Sequence, residues 1–217
     1  MQQTSRHQCL IYKGSPARHL PALAALIRQK LNERNRCLYL DSPPMIAGMR
    51  SYLAAAGVDV AREVGKGSLV LSSDQDHLED GHFHADRMLE GLEAAVHQAL
   101  SEGYEGLWAT GDMTWEFGSK DEMSKLLEYE WKLEDLFRRQ PSLSGICQYH
   151  MDTLPQDAVR DGLRSHQTIF INETLSRLNP HHVTRDAYSA NAPSPDVEDL
   201  KHLCVQERTR PASVRRR

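Results

Sequence analysis

The loop after the first predicted strand lies where a phosphate-binding protein carries its glycine-rich signature. A Walker A loop needs two glycines that bracket four residues, followed by lysine and serine or threonine, so that backbone N–H groups and an ammonium group can hold phosphates. Gly14 opens such a loop here, but His19, Leu20 and Pro21 stand where the second glycine, the lysine and the hydroxyl residue belong. Because these phosphate-binding groups are missing, the sequence favours sensing over nucleotide turnover.

Aromatic, sulfur-containing and polar side chains are predicted to gather where the strands end. Ligands of an open parallel sheet bind beyond the carboxyl ends of its strands, because the connecting loops converge there. Among the residues that we expect at this edge are Tyr12, Gly14, Asp41, Asp112, Met113, Trp115, Gln148, Tyr149 and His150. Apolar walls with a few polar groups are typical of a small-molecule pocket. The alternative interpretation is that Met113 and Trp115 only cover the hydrophobic core.

A glutamate interrupts the apolar stripe of the helix that is predicted over residues 121–139. Glu130 falls at the centre of the stripe, which consists of Met123, Leu126, Leu127, Leu133 and Phe137. A carboxylate that faces a core costs several kcal/mol unless it is paired or hydrogen-bonded. Glu130 therefore needs a partner such as His7, His166, Arg87 or a tyrosine hydroxyl. Both a structural network and a carboxylate that orients a ligand fit this pattern.

Metal ligands and nucleophiles are present, but not in defined spacings. The polar loop 74–84 contains His77, His82 and His84, which are the candidate metal ligands, yet it lacks the rigid spacing of a metal site. The four cysteines, which are Cys9, Cys37, Cys147 and Cys204, form no CxxC pair. Three of them lie in apolar, strand-like runs, where we expect free thiols that behave as small hydrophobes. No GxSxG motif is present. The sequence predicts neither a bound metal nor another cofactor, and no catalytic residues.

Short apolar runs alternate with amphipathic segments along most of the chain. The predicted strands are His7–Tyr12, Arg36–Asp41, Ser68–Ser73, Gly106–Asp112, Ser144–Tyr149 and Thr168–Asn172. The predicted helices are Ala17–Glu33, Pro44–Ala56, Asp86–Glu102, Asp121–Arg139 and Gln156–Ser165. Such alternation indicates an α/β fold with a mostly parallel sheet that is covered on both faces. We expect one domain over residues 1–178, then a linker, a short helix over Asp196–Glu207 and a basic tail to residue 217.

Composition limits the partners and the compartment. The 217 residues carry a net charge of −4, which argues against nonspecific nucleic-acid binding by the whole molecule. No apolar run reaches the ~20 residues of a membrane helix, and the N-terminus does not resemble a signal peptide. We therefore predict a cytoplasmic protein without a membrane partner.

Several short motifs together resemble one known family. The chain from about His7 to Glu173 is similar to the MEDS domain, the sensory domain of the DcmR type named for methanogens and methylotrophs. The matching motifs are His7-Gln-Cys-Leu-Ile-Tyr12, Arg36-Cys-Leu-Tyr39, Ala55-Ala-Gly-Val-Asp59, Gly81-x-Phe83 with Asp86-Arg-Met88, Gly111-Asp-Met-Thr-Trp115, Leu127-Glu-Tyr-Glu130, Ile146-Cys-Gln-Tyr149 and His166. His84 departs from the pattern, since the family usually has an acidic residue there.

The resemblance implies a fold, a function and a set of site residues. It implies a three-layer α/β/α relative of the RecA/KaiC-like P-loop NTPase fold that lacks a functional P-loop. It also implies sensing of small hydrocarbon derivatives in prokaryotic signal transduction or transcriptional regulation. The pocket residues that it implies are His7, Tyr12, Met113, Trp115, Glu130, Tyr149 and His166. The residues after Leu178 are too few for a helix-turn-helix domain, so we expect an output protein in trans.

Three hypotheses for function follow. The first is a non-catalytic sensor that binds a small apolar or methylated ligand at the carboxyl edge of the sheet. The second is an enzyme, either a divergent nucleotide-binding ATPase or a metal-dependent hydrolase. The third is a scaffold that forms homo-oligomers.

Overall fold

Short apolar strands separated by amphipathic helices build the fold. The computed structural model describes residues 6–15, 18–73, 78–79, 82–114, 123–172 and 175–187. The strands are β1 (His7–Tyr12), β2 (Asn35–Asp41), β3 (Leu69–Ser73), β4 (Leu78–Glu79), β5 (His82–Phe83), β6 (Gly106–Asp112), β7 (Leu143–His150), β8 (Thr168–Asn172) and β9 (Leu175–Leu178). The helices are α1 (Leu20–Asn32), α2 (Pro43–Ala55), α3 (Val60–Gly65), α4 (Ala85–Ser101), α5 (Met123–Arg139) and α6 (Gln156–Ser165). None of these described helices is both long enough and apolar enough to cross a membrane.

Seven of the strands form one sheet, in the order β3-β2-β6-β7-β1-β8-β9. All neighbouring pairs are parallel except β8 and β9, which run antiparallel. β4 and β5 form a separate antiparallel hairpin. The mostly parallel sheet confirms the predicted α/β fold class.

Each face of the sheet has its own hydrophobic core. In β1, Leu10 and Tyr12 enter the core that α1 and α2 cover, while Cys9 and Ile11 enter the core that α4, α5 and α6 cover. This division arises because successive residues of a strand point to opposite faces of a sheet. The result is the three-layer arrangement that the sequence predicted. By the same alternation His7 lies on the face of α4, α5 and α6.

The predicted elements are present, and four further elements were missed. The described ends differ from the predicted ends by at most three residues. The missed elements are α3, the two strands of the β4–β5 hairpin, and β9. The sequence does contain a start signal for α3, since aspartate, here Asp59, is a preferred N-cap residue. In the structure its carboxylate accepts the N–H of Arg62 at 3.1 Å. β9 has only four residues, Leu-Ser-Arg-Leu, and so short a run gives no clear period.

The first residues of the predicted linker contact the folded domain. Asn179 is buried, and its Nδ2 donates hydrogen bonds to the carbonyls of Leu163 at 2.5 Å and His166 at 2.7 Å. The N–H of Val183 donates to the carbonyl of Arg164 at 2.9 Å. Segment 179–183 therefore packs along the end of α6. The predicted helix Asp196–Glu207 and the basic tail lie outside the described residues.

Candidate functional site

A cluster of buried polar side chains lies between the sheet and helices α5 and α6. His7 comes from the start of β1, Cys147 and Tyr149 from β7, Glu130 from α5, and His166 directly follows α6. All five side chains are buried, and Glu130 and His166 are fully so. Strand alternation aims His7 to the same face as Cys147 and Tyr149, because β1 and β7 pair in register with Cys9 beside Cys147. We call these five residues the Glu130 cluster.

Glu130 is the centre of this cluster. Its Oε1 accepts a hydrogen bond from the hydroxyl of Tyr149. Its Oε2 lies 3.5 Å from Nε2 of His7 and 3.5 Å from Nε2 of His166. The Sγ of Cys147 lies 3.4 Å from Nε2 of His7 and 3.9 Å from Oε2 of Glu130. Three of the four partners that the sequence suggested for Glu130 thus contact it, whereas Arg87 is exposed on α4.

Outer contacts fix the orientation of both imidazole rings. Nδ1 of His7 lies 2.8 Å from Oε2 of Glu134, and the ring stacks on Phe137 with centroids 4.4 Å apart. Nδ1 of His166 lies 2.6 Å from the carbonyl oxygen of Gly162. A carboxylate and a carbonyl can only accept, so each Nδ1 carries the proton and each Nε2 presents a lone pair. Both lone pairs point towards Glu130.

Burial keeps the ionisable groups of the cluster neutral. It lowers the pKa of His7 to about 3 and lowers that of His166 well below its usual value. Burial also raises the pKa of Glu130 to about 8, although hydrogen bonds from Tyr149 and Cys147 oppose the rise. Without a bound cation, the cluster therefore holds neutral histidines and a protonated Glu130 at neutral pH. A buried network of this kind fits either a structural or a ligand-binding role.

Gly162 makes room for the aromatic ring that holds Glu130. A Cβ atom at this position in α6 would overlap the ring and hydroxyl of Tyr149. Glycine therefore lets α6 approach β7 closely enough for Tyr149 to reach Glu130. Sequence analysis gave no role to this residue.

A small apolar cavity adjoins the cluster. It has a volume of about 60 Å³ and lies between strands β2, β6 and β7 and helices α4 and α5. The side chains and backbone that line it are those of Leu38, Leu40, Met88, Leu92, Ala109, Thr110, Gly111, Met113, Tyr129, Leu133, Phe137, Leu143, Ile146 and Cys147. Cys147 belongs both to this lining and to the Glu130 cluster. A molecule in the cavity would therefore contact the cluster through the Cys147 side chain.

Tyr12, Asp41 and Asp112, which were predicted at the same edge, lie on the opposite face of the sheet. The hydroxyl of Tyr12 donates to Asp112 at 2.6 Å, and that of Tyr39 donates to Asp41 at 2.7 Å. Burial, followed by the charge of Asp112, raises the pKa of Asp41 to about 7. The structure thus divides the predicted pocket into two groups separated by the sheet. Met113 lines the cavity, whereas Tyr12 and Asp112 form a hydrogen-bonded pair beneath α1.

Side chains fill the position of the missing phosphate loop. The ring of His19 lies 4.1 Å from that of Tyr12, and its Nε2 lies 3.0 Å from Oε1 of Gln148. The N–H of Gly14, which has a φ of 79°, donates to a carboxylate oxygen of Asp152 at 2.8 Å. A carboxylate therefore takes the backbone donor that a phosphate would need.

Some predicted residues cannot be placed in either group. Trp115 and His77 lie outside the described residues, and for His82 only the backbone, in β5, is described. His84 is exposed immediately before α4. Within the described ranges, His7, Glu130, Cys147 and His166 are the group whose donor atoms lie close enough to hold one metal ion, within 4.8 Å of one another. Sequence analysis missed Cys147 here, although strand alternation from Tyr149 places it on the same face.

Comparisons with known proteins identify a family and a similar solved structure. No curated protein matches the sequence. The structure is similar to the crystal structure of flagellar accessory protein FlaH from Methanocaldococcus jannaschii, with a TM-score of 0.49 and 12% identity, over 76% of this chain and 70% of that chain. The model of the MEDS family, the methanogen/methylotroph, DcmR sensory domain, matches residues 6–167. That match covers well over half of the 217 residues, so the chain belongs to the MEDS family of sensory domains.

Proposed function

We propose that this chain is a non-catalytic sensory domain that binds one small, largely apolar molecule in the cavity between the sheet and helices α4 and α5. Membership of a sensory-domain family supports a role in signalling. The observation that carries the proposal is the cavity itself, because its lining is mostly apolar and it adjoins a buried polar cluster. We also propose that this molecule is a small hydrocarbon derivative.

The size of the cavity restricts the ligand. A water molecule needs ~10–15 Å³ of this kind of volume, and a cavity of ~150 Å³ lined by aliphatic and aromatic side chains accepts benzene. At about 60 Å³ the cavity lies between these limits. It suits a molecule of a few heavy atoms, such as a halogenated methane, a short alcohol or a methylated amine in its neutral form. An apolar lining also gives little compensation for a ligand with a full charge.

Contacts from two helices provide a route to an output. Met88 and Leu92 of α4 and Tyr129 and Leu133 of α5 line the cavity from the helical side. A ligand signals only when it binds one conformation better than another. A molecule that packs between α4 and α5 would favour one spacing of these helices over another. An output protein in trans, or a second copy of this chain, would then read that spacing.

A melting-shift screen with a cavity-filling variant tests the proposal. A compound at about a hundred times its Kd should stabilise the wild type by roughly 3 kcal/mol, or about 5–10 °C in Tm. In Gly111→Ala the new methyl group enters the cavity, and its nearest neighbour is the carbonyl oxygen of Leu40 at 3.5 Å, an ordinary contact. This variant should fold and lose the shift. Gly91→Ala, whose methyl group meets nothing within 4 Å on the exposed side of α4, should keep it.

Two results would contradict the proposal. One is a screen of short halogenated, methylated and alcohol compounds in which none stabilises the wild type. The other is a compound that stabilises the wild type and raises the Tm of Gly111→Ala by as much as it raises the Tm of Gly91→Ala. ATP belongs in the same screen, because the alternative hypothesis of a divergent ATPase requires it to bind. We expect no shift with ATP, since the carboxylate of Asp152 occupies the N–H of Gly14.

A further inference from the structure

We propose that His7, Glu130, Cys147 and His166 bind one divalent transition-metal ion with zinc-like preferences. The donors are two imidazole nitrogens, one thiolate and one carboxylate oxygen, a set that suits Zn²⁺ or Co²⁺. The inference does not depend on the apolar ligand that is proposed for the neighbouring cavity.

Four of the six distances between the donor atoms are close to those of a tetrahedral site. Metal–nitrogen and metal–oxygen bonds of about 2.1 Å and a metal–sulfur bond of about 2.3 Å separate the donors of a tetrahedron by roughly 3.4–3.6 Å. Nε2 of His7 lies 3.4 Å from Sγ of Cys147 and 3.5 Å from Oε2 of Glu130. Oε2 of Glu130 lies 3.5 Å from Nε2 of His166 and 3.9 Å from Sγ of Cys147. Four of the six edges are thus near their expected lengths. The other two, from Nε2 of His166 to the donor atoms of His7 and Cys147, are at most 4.8 Å, so metal binding would draw the His166 ring closer.

The partners of the two rings match those of metal-bound histidines. A histidine that binds a metal through one nitrogen commonly donates its other N–H to a carboxylate or a backbone carbonyl. Here Nδ1 of His7 donates to the carboxylate of Glu134, and Nδ1 of His166 donates to the carbonyl of Gly162. Both contacts direct a deprotonated Nε2 into the cluster, as metal coordination requires.

One buried donor atom of the cluster is available to a metal ion. Nε2 of His166 is buried and has no hydrogen-bond partner among the described residues, and Oε2 of Glu130 faces it at 3.5 Å. The hydroxyl of Tyr149 is directed to the other carboxylate oxygen. A proton on Glu130 could serve only one of the two Nε2 lone pairs at a time, whereas a metal ion would serve both.

Charge balance also favours a divalent ion. Binding would release a proton from the Cys147 thiol and another from the Glu130 carboxyl, which leaves two negative charges beside a doubly positive ion. The complex is then neutral, and a neutral complex is the least costly one in a fully buried site. Release of these protons makes the affinity rise with pH.

The side chain of Glu134 lies between the cluster and the surface. Glu134, whose side chain is 34% exposed, contacts His7 on one side and lines a surface groove of about 510 Å³ on the other. The same groove contains His182 and Asp135. An ion could therefore reach the cluster by passing Glu134.

Titration of the chelator-treated, reduced full-length chain with Co²⁺ tests the inference. We expect one ion per chain, the visible bands of tetrahedral Co²⁺, and a near-ultraviolet charge-transfer band from the thiolate. Cys147→Ser should remove the charge-transfer band. Cys37→Ser, which changes a buried cysteine on the opposite face of the sheet, should leave it unchanged. Zinc content measured on the untreated protein gives the stoichiometry independently.

Glu130→Gln keeps the inference testable if Cys147→Ser does not fold. Its amide occupies the same space, so the variant should melt cooperatively while its Co²⁺ affinity falls at least tenfold. No ion uptake by the wild type, or a charge-transfer band that survives Cys147→Ser, would overturn the inference. The compound screen is run on chelated protein, so a failure of metal binding and a failure of cavity binding are observed separately.

Discussion

Replacing Glu130 by glutamine should change how the stability of the metal-free protein depends on pH. In the folded chain burial raises the pKa of Glu130 to about 8, from a usual value of 4.5. Between these values the folded chain holds a proton that the unfolded chain has lost. The stability that this proton provides is therefore complete below about pH 4.5 and is lost progressively as the pH rises to about 8. Glutamine does not titrate, so the stability of the variant does not show this fall with rising pH.

The linkage relation gives the size of the effect. From pH 5 to pH 7 the unfolded carboxyl is mostly ionised, and almost wholly so above about pH 6, while the folded one is still largely protonated. The titration of Glu130 therefore costs the wild type about 2–3 kcal/mol of unfolding free energy over this range. His7 and His166 have lowered pKa values and give the opposite slope at acid pH, but both proteins contain them. Their contribution largely cancels when the two proteins are compared. The amide of glutamine can also donate to a Nε2 lone pair that the carboxylate cannot serve.

Urea unfolding in the presence of a chelator, at several pH values from 5 to 8, measures this difference. Between pH 5 and pH 7 we expect the free energy of unfolding of Glu130→Gln to rise by about 2–3 kcal/mol relative to that of the wild type. Glu90→Gln, which removes an exposed carboxylate from α4, serves as the matched control and should follow the wild type. A difference between Glu130→Gln and the wild type that stays constant with pH would refute the reasoning. With saturating Zn²⁺ the wild-type slope should instead reverse, because the ion displaces the proton.

Three further changes test other contacts of the same region. Gly162→Ala forces a Cβ into the ring of Tyr149, so its Tm should fall by the equivalent of about 1–3 kcal/mol relative to the wild type. Glu134→Ala removes the acceptor that orients His7, and Co²⁺ titration should show an affinity that is ~10–100-fold lower with the site still occupied at high concentration. Asn179→Ala should cost about 1–3 kcal/mol in urea unfolding, because two buried carbonyls lose their donor. A variant whose measured quantity stayed at the wild-type value would contradict the contact that it was designed to remove.

Periodicity made the layers of the fold predictable from the sequence. Short apolar runs between amphipathic segments predicted a sheet that is covered on both faces, and the apolar stripe of α5 predicted which side of that helix packs on the sheet. The same stripe identified Glu130, because an ionisable residue at the centre of an apolar helix face must have buried partners. Short elements were not predictable in this way, since β9 and the β4–β5 hairpin contain too few residues to show a period.

The division of the predicted pocket was missed for an identifiable reason. The carboxyl-edge rule places residues at one end of the sheet but does not state on which face they lie. His7 and Tyr12 are the first and last residues of β1, so they lie at opposite ends of the strand, and alternation over five positions also sends them to opposite faces. Cys147 was overlooked because a cysteine within an apolar strand reads as a small hydrophobe. Only the register of β1 against β7 brings it beside His7 and Glu130.

Methionine methyl NMR tests the central claim, that a small molecule binds in the apolar cavity, most directly. Met88 and Met113 line the cavity, whereas Met49 is buried in the core on the opposite face of the sheet. Titration with a stabilising halogenated or alcohol compound should shift the Met88 and Met113 signals with saturation and leave Met49 in place. Signals that never saturate, or a Met49 shift as large as the other two, would contradict binding in this cavity.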